Sequence, residues 1–328
     1  MLEKELEIAL AAVELACQAC RQVQETIAEN SLDKKDRSPV TIADFASQAM
    51  ICHAIDQEFP EDPIVAEEDS SLLKEEGNAL FLTKIMDILR SQEFTPSSEQ
   101  ICKWIDRGNG EFHPRRFWTL DPIDGTKGFL RGGQYAVALA LIENGEISIG
   151  VLGCPNYRFD ADDAHSRGVL FSAIRGEGAF VRPLADAKGK QNISVSPQTD
   201  SSMSRICESV ESGHSAHSLS VKIAEKMGIT HEPLRMDSQA KYAAVAGGEA
   251  EIYLRLPTRK DYREKIWDHA AGVLVVEEAG GRVTDIHGKK LDFTAGSELT
   301  YNRGVIVSNG HLHNRVLSTI QELQAASE

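Results

Sequence analysis

Two aspartates stand three positions apart in the segment WTLDPIDGT, residues 118–126. Asp121 and Asp124 follow an apolar run that is typical of a strand ending at this point. Two carboxylates this close repel each other, and each raises the pKa of the other unless a positive charge lies between them. The pair therefore predicts a bound cation.

Further acidic residues follow or interrupt apolar segments elsewhere in the chain. They are Asp44, Glu67, Glu68 and Asp268. An unpaired carboxylate in partly buried backbone is costly, so the set indicates a metal site. Carboxylate oxygens are hard ligands, and no His or Cys stands among them at zinc-ligand spacing, which favours Mg²⁺ or Mn²⁺ over zinc. The carbonyl oxygen of Ile123, in a turn stiffened by Pro122, offers a further ligand.

Each of these patterns has an ordinary interpretation when it is taken alone. Asp-Pro-Ile-Asp-Gly is a common turn, Glu67 and Glu68 are typical of a solvated loop, and Asp44 is typical of a charge near the start of a helix. Only their co-occurrence favours the metal site over these alternatives.

Gly125 and Thr126 follow the second aspartate directly, and we expect them at a helix amino terminus or in a nest of backbone N–H groups. Such a place binds a phosphate oxygen, and the threonine hydroxyl can orient a water. Two cations roughly 3.5 to 4 Å apart, beside an anion-binding site, are the groups that metal-assisted hydrolysis of a phosphate ester requires.

The elements that position these residues begin with two helices, predicted over residues 2–29 and 41–59. Short strands follow at DPIVAEEDS and RRFWTLD, and two hairpins come next, the first turning at Asn144-Gly145. Residues 71–113 are polar and irregular with helical pieces, which predicts a surface insertion of open function.

Beyond about residue 185 the pattern changes to strands that alternate with helices. The sequence therefore predicts an α+β half followed by an α/β half, with helices covering sheets in layers. A boundary in RPLADAKGKQN divides the chain into 1–185, which holds most of the predicted metal ligands, and 186–328. Whether the two halves share one cleft stays open at this point.

Composition excludes several classes of protein. The 328 residues carry a net charge of −15, which argues against binding to nucleic acid or a membrane surface, because both are polyanionic. The six cysteines follow no disulfide spacing, and Cys17 and Cys20 lie in an apolar helical pattern that favours core packing over a redox site. The amino terminus is unlike a signal peptide, and no apolar run has the length of a membrane span. Together with the cysteine pattern, these two observations predict a cytoplasmic location.

The segments SPVTIAD, VAEED, LDPIDGT and WDHAAG, in this order, resemble the signature of the inositol monophosphatase superfamily of Mg²⁺-dependent, lithium-sensitive phosphatases. The likeness runs from about residue 5 to residue 310. Within the superfamily, ESVESGHSAH, DSQAKYAAVAGGEAEIYLRLP and YREKIWDHAAG are similar to 3′(2′),5′-bisphosphate nucleotidases. The resemblance implies a layered αβαβα sugar-phosphatase-like fold and two or three Mg²⁺ ions.

The resemblance also implies a role for each matching residue. The implied metal ligands are Glu67, Asp121, the Ile123 carbonyl, Asp124 and Asp268, with Glu68 behind them. Asp44 and Thr126 correspond to the pair that positions and deprotonates the attacking water. The implied substrate contacts are Gly125, Thr126, His214, Ser238, Lys241, Arg255 and Asp268, so the second half, 186–328, would carry most nucleotide contacts.

Some of these positions keep an alternative. Arg255 is also typical of an edge arginine paired to a surface glutamate, and His214 of an ordinary loop histidine. Residues 34–37, KKDR, are by default a solvated loop, although the resemblance implies a flap over the metals. His269 is predicted to lie in the core or behind the metal ligands.

The resemblance therefore implies a Mg²⁺-dependent, Li⁺-inhibited phosphatase that hydrolyses 3′-phosphoadenosine 5′-phosphate to AMP and phosphate. The preference for its 5′-phosphosulfate analogue stays open, as does the oligomeric state. The alternatives are an inositol polyphosphate 1-phosphatase or sugar bisphosphatase of the same superfamily, a nucleotide-binding sensor without turnover, and a calcium-binding structural module.

Overall fold

The computed structural model describes residues 2–29, 38–75, 77–158, 167–186, 188–210, 217–257, 259 and 261–325. Its helices are α1 (Glu3–Glu29), α2 (Ser38–Glu58), α3 (Ala79–Ser91), α4 (Ser98–Asp106), α5 (Thr126–Leu130), α6 (His217–Met227), α7 (Ala240–Ala246), α8 (Ala270–Glu278) and α9 (His313–Ala325). None of these helices has both the length and the hydropathy that crossing a bilayer requires.

The strands form two sheets. The first sheet consists of β1 (Ile64–Ala66), β2 (Arg116–Asp124), β3 (Ala136–Glu143), β4 (Glu146–Arg158), β5 (Arg167–Ile174), β6 (Ala179–Pro183) and β7 (Gln191–Ile193). The second consists of β8 (Ile206–Glu208), β9 (Leu234–Arg235), β10 (Ile252–Arg255), β11 (Arg282–Thr284) and β12 (Val305–Ser308).

The first sheet keeps its strands in chain order, and only the β1–β2 pair is parallel. The β3–β4 hairpin turns at Asn144 and Gly145, whose φ angles are 52° and 79°. Two positive φ angles in a two-residue loop match the right-handed twist of the strands, which is why Asn-Gly is favoured there. Both predicted hairpins are confirmed.

α1 packs across the first sheet through a stripe of small apolar residues. A Cβ atom at Gly153 of β4 would lie 2.2 Å from Sγ of Cys17 and 2.8 Å from Cγ1 of Val13, so the helix approaches the strand at a glycine. Cys17 and Cys20 are both fully buried and form no disulfide. Burial raises the pKa of the Cys17 thiol, so the prediction of core packing is confirmed.

The segment predicted as a surface insertion contributes to the core instead. α3 and α4 pack against α2, and Ile85, Leu89, Ile101 and Ile105 are fully buried there. The apolar residues of α3 and α4 stand among polar and charged stretches between residues 71 and 113, so polarity dominates the pattern of the segment as a whole. The expectation of a surface insertion was therefore wrong for these two helices.

The second sheet has the order β11-β12-β10-β8-β9, with β8, β9 and β10 parallel. α7 and α8 lie between the two sheets, and α6 and α9 cover the far side of the second sheet. Together with α1 and α2 on the outer face of the first sheet, these layers give the order αβαβα. The predicted layered fold is confirmed.

The layer between the sheets is the common core of both halves. A Cβ atom at Gly150 of β4 would lie 2.7 Å from the carbonyl oxygen of Ala271 in α8, so helix and sheet approach closely. Apolar residues of both sheets belong to this one buried cluster. The division of the chain at residues 185 and 186 stays a prediction.

Candidate active site

A cavity of about 380 Å³ opens where the carboxyl end of β2 meets α7, β10 and the start of α8. Most of the residues singled out from the sequence line it. They are Glu67, Asp121, Ile123, Asp124, Gly125, Thr126, Ser238, Lys241, Arg255 and Asp268. Both halves of the chain therefore contribute to one site.

A β-bulge brings the two aspartates onto one face of the sheet. Asp121 and Asp124 pair with Ala138 and Ala136 of β3, so three steps along β2 match two steps along β3. Residues three apart in a regular strand point to opposite faces, and one extra residue restores the same face. Within the bulge, the backbone N–H of Ile123 donates to Oδ1 of Asp121 at 3.1 Å.

The carboxyl groups in the cavity repel one another. Burial raises the pKa of Asp121 well above its usual value, and the charges of Glu67, Asp124 and Asp268 raise it further. Glu67 reaches solvent at the cavity mouth, yet desolvation and the nearby Asp268 and Glu68 also raise its pKa. The pKa of Asp268 is raised by burial and then by Asp124.

This donor set fits a divalent cation. Carboxylate oxygens with a carbonyl oxygen beside them are the ligands that Mg²⁺ and Mn²⁺ accept, and a cation would relieve the repulsion that raises these pKa values. Asp124 is held in place because its Oδ2 accepts from the backbone N–H of Gln239.

Asp44 is not among the residues that line the cavity, but its charge acts on Asp121, so it lies close to the acidic residues that do. Its side chain is buried on α2, where burial and then the charges of Glu68 and Glu67 raise its pKa. α2 packs against the short helix α5, whose first residue is Thr126. The two residues expected to handle the attacking water thus belong to neighbouring elements.

Gly125 and Thr126 do lie at a helix amino terminus, as expected. Gly125 has a φ of 90°, and a Cβ atom there would lie 2.9 Å from Cβ of Ser238. Only glycine combines this backbone conformation with so close an approach. Thr126 is exposed to the cavity.

Lys241 is a buried cation in the opposite wall. Its side chain is 3% exposed, and Nζ donates to the carbonyl oxygens of Ser238 at 2.8 Å and Met236 at 3.4 Å. Burial lowers the pKa of Lys241, while the charge of Asp124 opposes that change. Nζ also lies 5.2 Å from the ring centroid of Tyr253.

Arg255 lies in the interior of the second sheet, because β10 pairs with both β8 and β12. Its Nε donates to Oε2 of Glu264 at 3.0 Å, and its Nη2 lies 3.7 Å from Oδ2 of Asp268. Glu264 is buried, so the alternative of an edge arginine paired to a surface glutamate is wrong.

Glu264, Asp268 and His269 form a trio in which one carboxylate oxygen or ring nitrogen of each residue lies within 4.8 Å of the others. Arg255 already supplies a positive charge to both carboxylates, so a divalent cation at this point would meet a guanidinium. His269 is buried, and its ring contacts the Tyr242 hydroxyl at 2.6 Å and Glu264 at 3.2 Å. We therefore assign the trio to an ion-pair network that holds Asp268 in place, with His269 in the core as expected.

Sequence reasoning missed several residues of the cavity wall, among them Ser209, Asp237, Gln239, Tyr253 and Tyr262. Gln239 lies within the DSQAKY segment, and its amide donates to the Trp267 carbonyl at 2.8 Å and accepts from the Gly272 N–H at 3.1 Å. Its place between Ser238 and Lys241, both of them predicted substrate contacts, was the available signal. His214 and the KKDR segment at 34–37 lie outside the described residues.

A family model described as the inositol monophosphatase family matches residues 1–325 of this chain. The chain belongs to the inositol monophosphatase family. Two relatives that the chain is similar to are the 3′(2′),5′-bisphosphate nucleotidases of Emericella nidulans and Schizosaccharomyces pombe. The first is 45% identical over 98% of each chain, and the second is 42% identical over 96% of this chain and 94% of its own.

Solved structures of the inositol monophosphatase family have the same fold. Inositol monophosphatase II from Staphylococcus aureus superposes with a TM-score of 0.64 over 99% of both chains, at 17% sequence identity. At this identity the likeness supports the fold alone.

Proposed function

We propose that this member of the inositol monophosphatase family is a Mg²⁺-dependent 3′(2′),5′-bisphosphate nucleotidase. It would remove the 3′-phosphate of 3′-phosphoadenosine 5′-phosphate and release AMP and phosphate. The names of relatives that are 41–45% identical over nearly the whole chain support this substrate class.

One observation carries the proposal: a cluster of carboxylates and a pair of cations face the same cavity. Asp121 and Asp124 lie in one wall, and Lys241 and Arg255 lie in the other. A substrate with two phosphates needs a metal-binding group for the phosphate that reacts and a positive group for the one that does not.

The residues that would hold Mg²⁺ are Glu67, Asp121, Asp124 and Asp268, with the carbonyl oxygen of Ile123. When bound, the ion polarises a phosphoryl oxygen and makes water more acidic. The carboxylate of Asp44 would accept a proton from the attacking water, and the Thr126 hydroxyl would orient that water toward phosphorus. Glu68 stays a candidate for supporting this group of ligands.

The other wall would hold the nucleotide. Lys241 and Arg255 bind phosphate or ribose oxygens, and Ser238 orients the substrate beside Gly125. Ser238 has a φ of 69°, which turns its backbone toward that glycine. His214 completes this proposed set.

We expect the enzyme to act in the cytoplasm, because its cysteines in the described residues are free thiols, which suits a reducing compartment. Li⁺ should inhibit it by competing for a carboxylate site. Unchanged phosphate release in millimolar lithium would contradict this expectation.

The deciding experiment measures phosphate release from 3′-phosphoadenosine 5′-phosphate, inositol 1,4-bisphosphate and fructose 1,6-bisphosphate with Mg²⁺. We expect the nucleotide to be preferred and Asp121→Asn to abolish release. Asp87→Asn is the matched control, since this exposed aspartate pairs only with Arg90 on α3 in the described structure, and it should keep full activity.

Each alternative corresponds to another outcome. Preference for the inositol or sugar phosphate would keep the metal chemistry and overturn the nucleotide assignment. Nucleotide binding without release from any substrate would indicate a sensor. Stabilisation by Ca²⁺ without phosphate release or nucleotide binding would indicate a structural module.

A further inference from the structure

The carboxyl end of α4 lies against the acidic loop, which we define as Glu67–Ser70. Oδ1 of Asp106 accepts from the backbone N–H of Ser70 at 2.8 Å, and its Oδ2 accepts from the Ser70 hydroxyl at 2.7 Å. Ser70 is fully buried, so its N–H and its hydroxyl both depend on this carboxylate. Asp106 therefore fixes the far end of the acidic loop.

Gln48 fixes the near end of the same loop. Its Oε1 accepts from the backbone N–H of Glu68 at 3.1 Å, and its Nε2 donates to the Glu68 carbonyl and, at 3.0 Å, to the Ile105 carbonyl. Gln48 is fully buried and stands one helical turn after Asp44 on α2. One amide thus joins α2, the acidic loop and α4.

The chain after α4 also pairs with the strand that leads into the loop. The Ala66 N–H donates to the Gly108 carbonyl at 2.8 Å, and the Gly110 N–H donates to the Ile64 carbonyl at 2.8 Å. A Cβ atom at Gly108 would lie 2.7 Å from Nε2 of Gln48. This close packing leaves the amide of Gln48 little freedom to turn.

We propose that Gln48 and Asp106 are positioning residues for the acidic loop, and that α4 thereby sets how tightly the site holds a divalent cation. The proposal rests on the proposed function in one respect, the role of Glu67 as a metal ligand. The proposal assigns a function to residues 71–113, for which the sequence alone indicated none.

The physical reason is that both contacts satisfy buried backbone groups. Without them the Ser70 and Glu68 N–H groups would be buried and unpaired, and the loop would move to reach water. Glu67 lies in that loop and directs its carboxylate into the cavity. Loss of outer partners of metal ligands commonly weakens metal binding about 10-fold to 100-fold.

The test measures binding of Mn²⁺ alone by electron paramagnetic resonance of the free ion, without substrate. We expect Asp106→Ala and Gln48→Met to weaken binding about 10-fold. Asp106→Asn should recover most of the affinity, because its remaining Oδ1 still accepts from the Ser70 N–H. Thermal unfolding in a chelator establishes that each variant is folded.

The matched control is Asp56→Asn. Asp56 on α2 pairs with Arg107 at 2.6 Å, so the change loosens the contact between α2 and α4 without touching the acidic loop. We expect it to bind Mn²⁺ within about twofold of the unchanged protein, which separates loop positioning from general loosening.

The outcomes distinguish the proposals. If the unchanged protein binds no Mn²⁺, the proposed metal-dependent function fails first. If it binds and the Asp106 and Gln48 variants bind equally well, or if Asp56→Asn weakens binding as much as they do, the positioning role is overturned. Should Asp106→Ala not fold, Gln48→Met and Asp106→Asn decide the question on their own.

Discussion

The Nε atom of Arg255 lies 3.0 Å from Oε2 of Glu264, and their side chains are only 15% and 7% exposed. The guanidinium also reaches Tyr262, whose hydroxyl lies 3.3 Å from Nη2. A buried ion pair adds little by itself, but removal of Glu264 would leave the guanidinium, only 15% exposed, with Asp268 at 3.7 Å as its remaining carboxylate partner.

Glu264→Ala is therefore expected to destabilise the protein by about 3 to 5 kcal/mol, measured by urea unfolding. The control is Glu298→Ala, which breaks the exposed pair between Glu298 and Lys265 and should cost less than about 1 kcal/mol. Equal losses in the two variants would show that Arg255 tolerates the loss of Glu264, with Asp268 as its remaining carboxylate partner.

Lys241→Met should lower kcat/KM for 3′-phosphoadenosine 5′-phosphate about 10-fold to 100-fold, because the proposed charged hydrogen bond from Nζ to phosphate would be lost. The loss should be smaller for 3′-AMP, which lacks the second phosphate. Lys226→Met serves as the control, since this exposed lysine pairs with Glu322 far from the cavity. An equal loss for both nucleotides would contradict a role in reading the second phosphate.

Gly125→Ala should abolish most phosphate release, because the new methyl group would collide with Ser238. Gly132→Ala isolates the backbone contribution: Gly132 has a φ of 70°, but no atom lies within 4 Å of the added Cβ. Both variants should lose about 1 kcal/mol of stability from the left-handed conformation, and only the first should lose activity. Loss of activity in both variants would indicate that backbone strain, rather than the contact with Ser238, is responsible.

Stability should fall in mild acid because of His313, whose pKa burial lowers to about 4. Thr284 Oγ1 donates to the Asp285 carbonyl and so can accept from Nε2, which leaves Nδ1 to accept from Ser308 Oγ. A second ring proton on Nδ1 would force the Ser308 hydroxyl to turn away from the ring. The unfolded state binds that proton more readily. The contribution of neutral His313 to the free energy of unfolding is therefore fully present above pH 6.5 and declines as the pH falls toward 4. Full protonation would cost about 3 kcal/mol.

The measurement compares urea unfolding of the unchanged protein and His313→Gln between pH 7.5 and pH 4.5. The variant has no ring to titrate, so its stability should change less over this range. Parallel curves for the two proteins would mean that other groups account for the decline.

Sequence alone was sufficient for the parts of this protein that depend on local chemistry. The apolar periodicity of residues 2–29 marks α1, and Asn144-Gly145 marks the first hairpin turn, since both patterns act over neighbouring residues. Asp121 and Asp124 could be paired by their spacing, although the reason they share a face is the bulge. A bulge depends on the register with β3, which the sequence does not display.

Side-chain partners that meet only through tertiary packing could not be predicted from the sequence. Glu264 stands nine residues from Arg255, in a charged stretch whose pattern is typical of a solvated loop, and only the fold turns it inward. Asp106 and Gln48 are 58 residues apart and meet at one loop because α4 packs on α2. Contacts of this kind follow from tertiary packing, which residue types and spacing do not fix.

The layer of α7 and α8 between the sheets also has a consequence for how the chain is made. A ribosome completes the first sheet at Ile193, but the helix that covers its inner face ends only at Glu278. During the synthesis of the residues between them, β3 to β6 present an apolar surface without its cover. A nascent chain stalled in this interval, or a product truncated there, would be a substrate for chaperones and prone to aggregate.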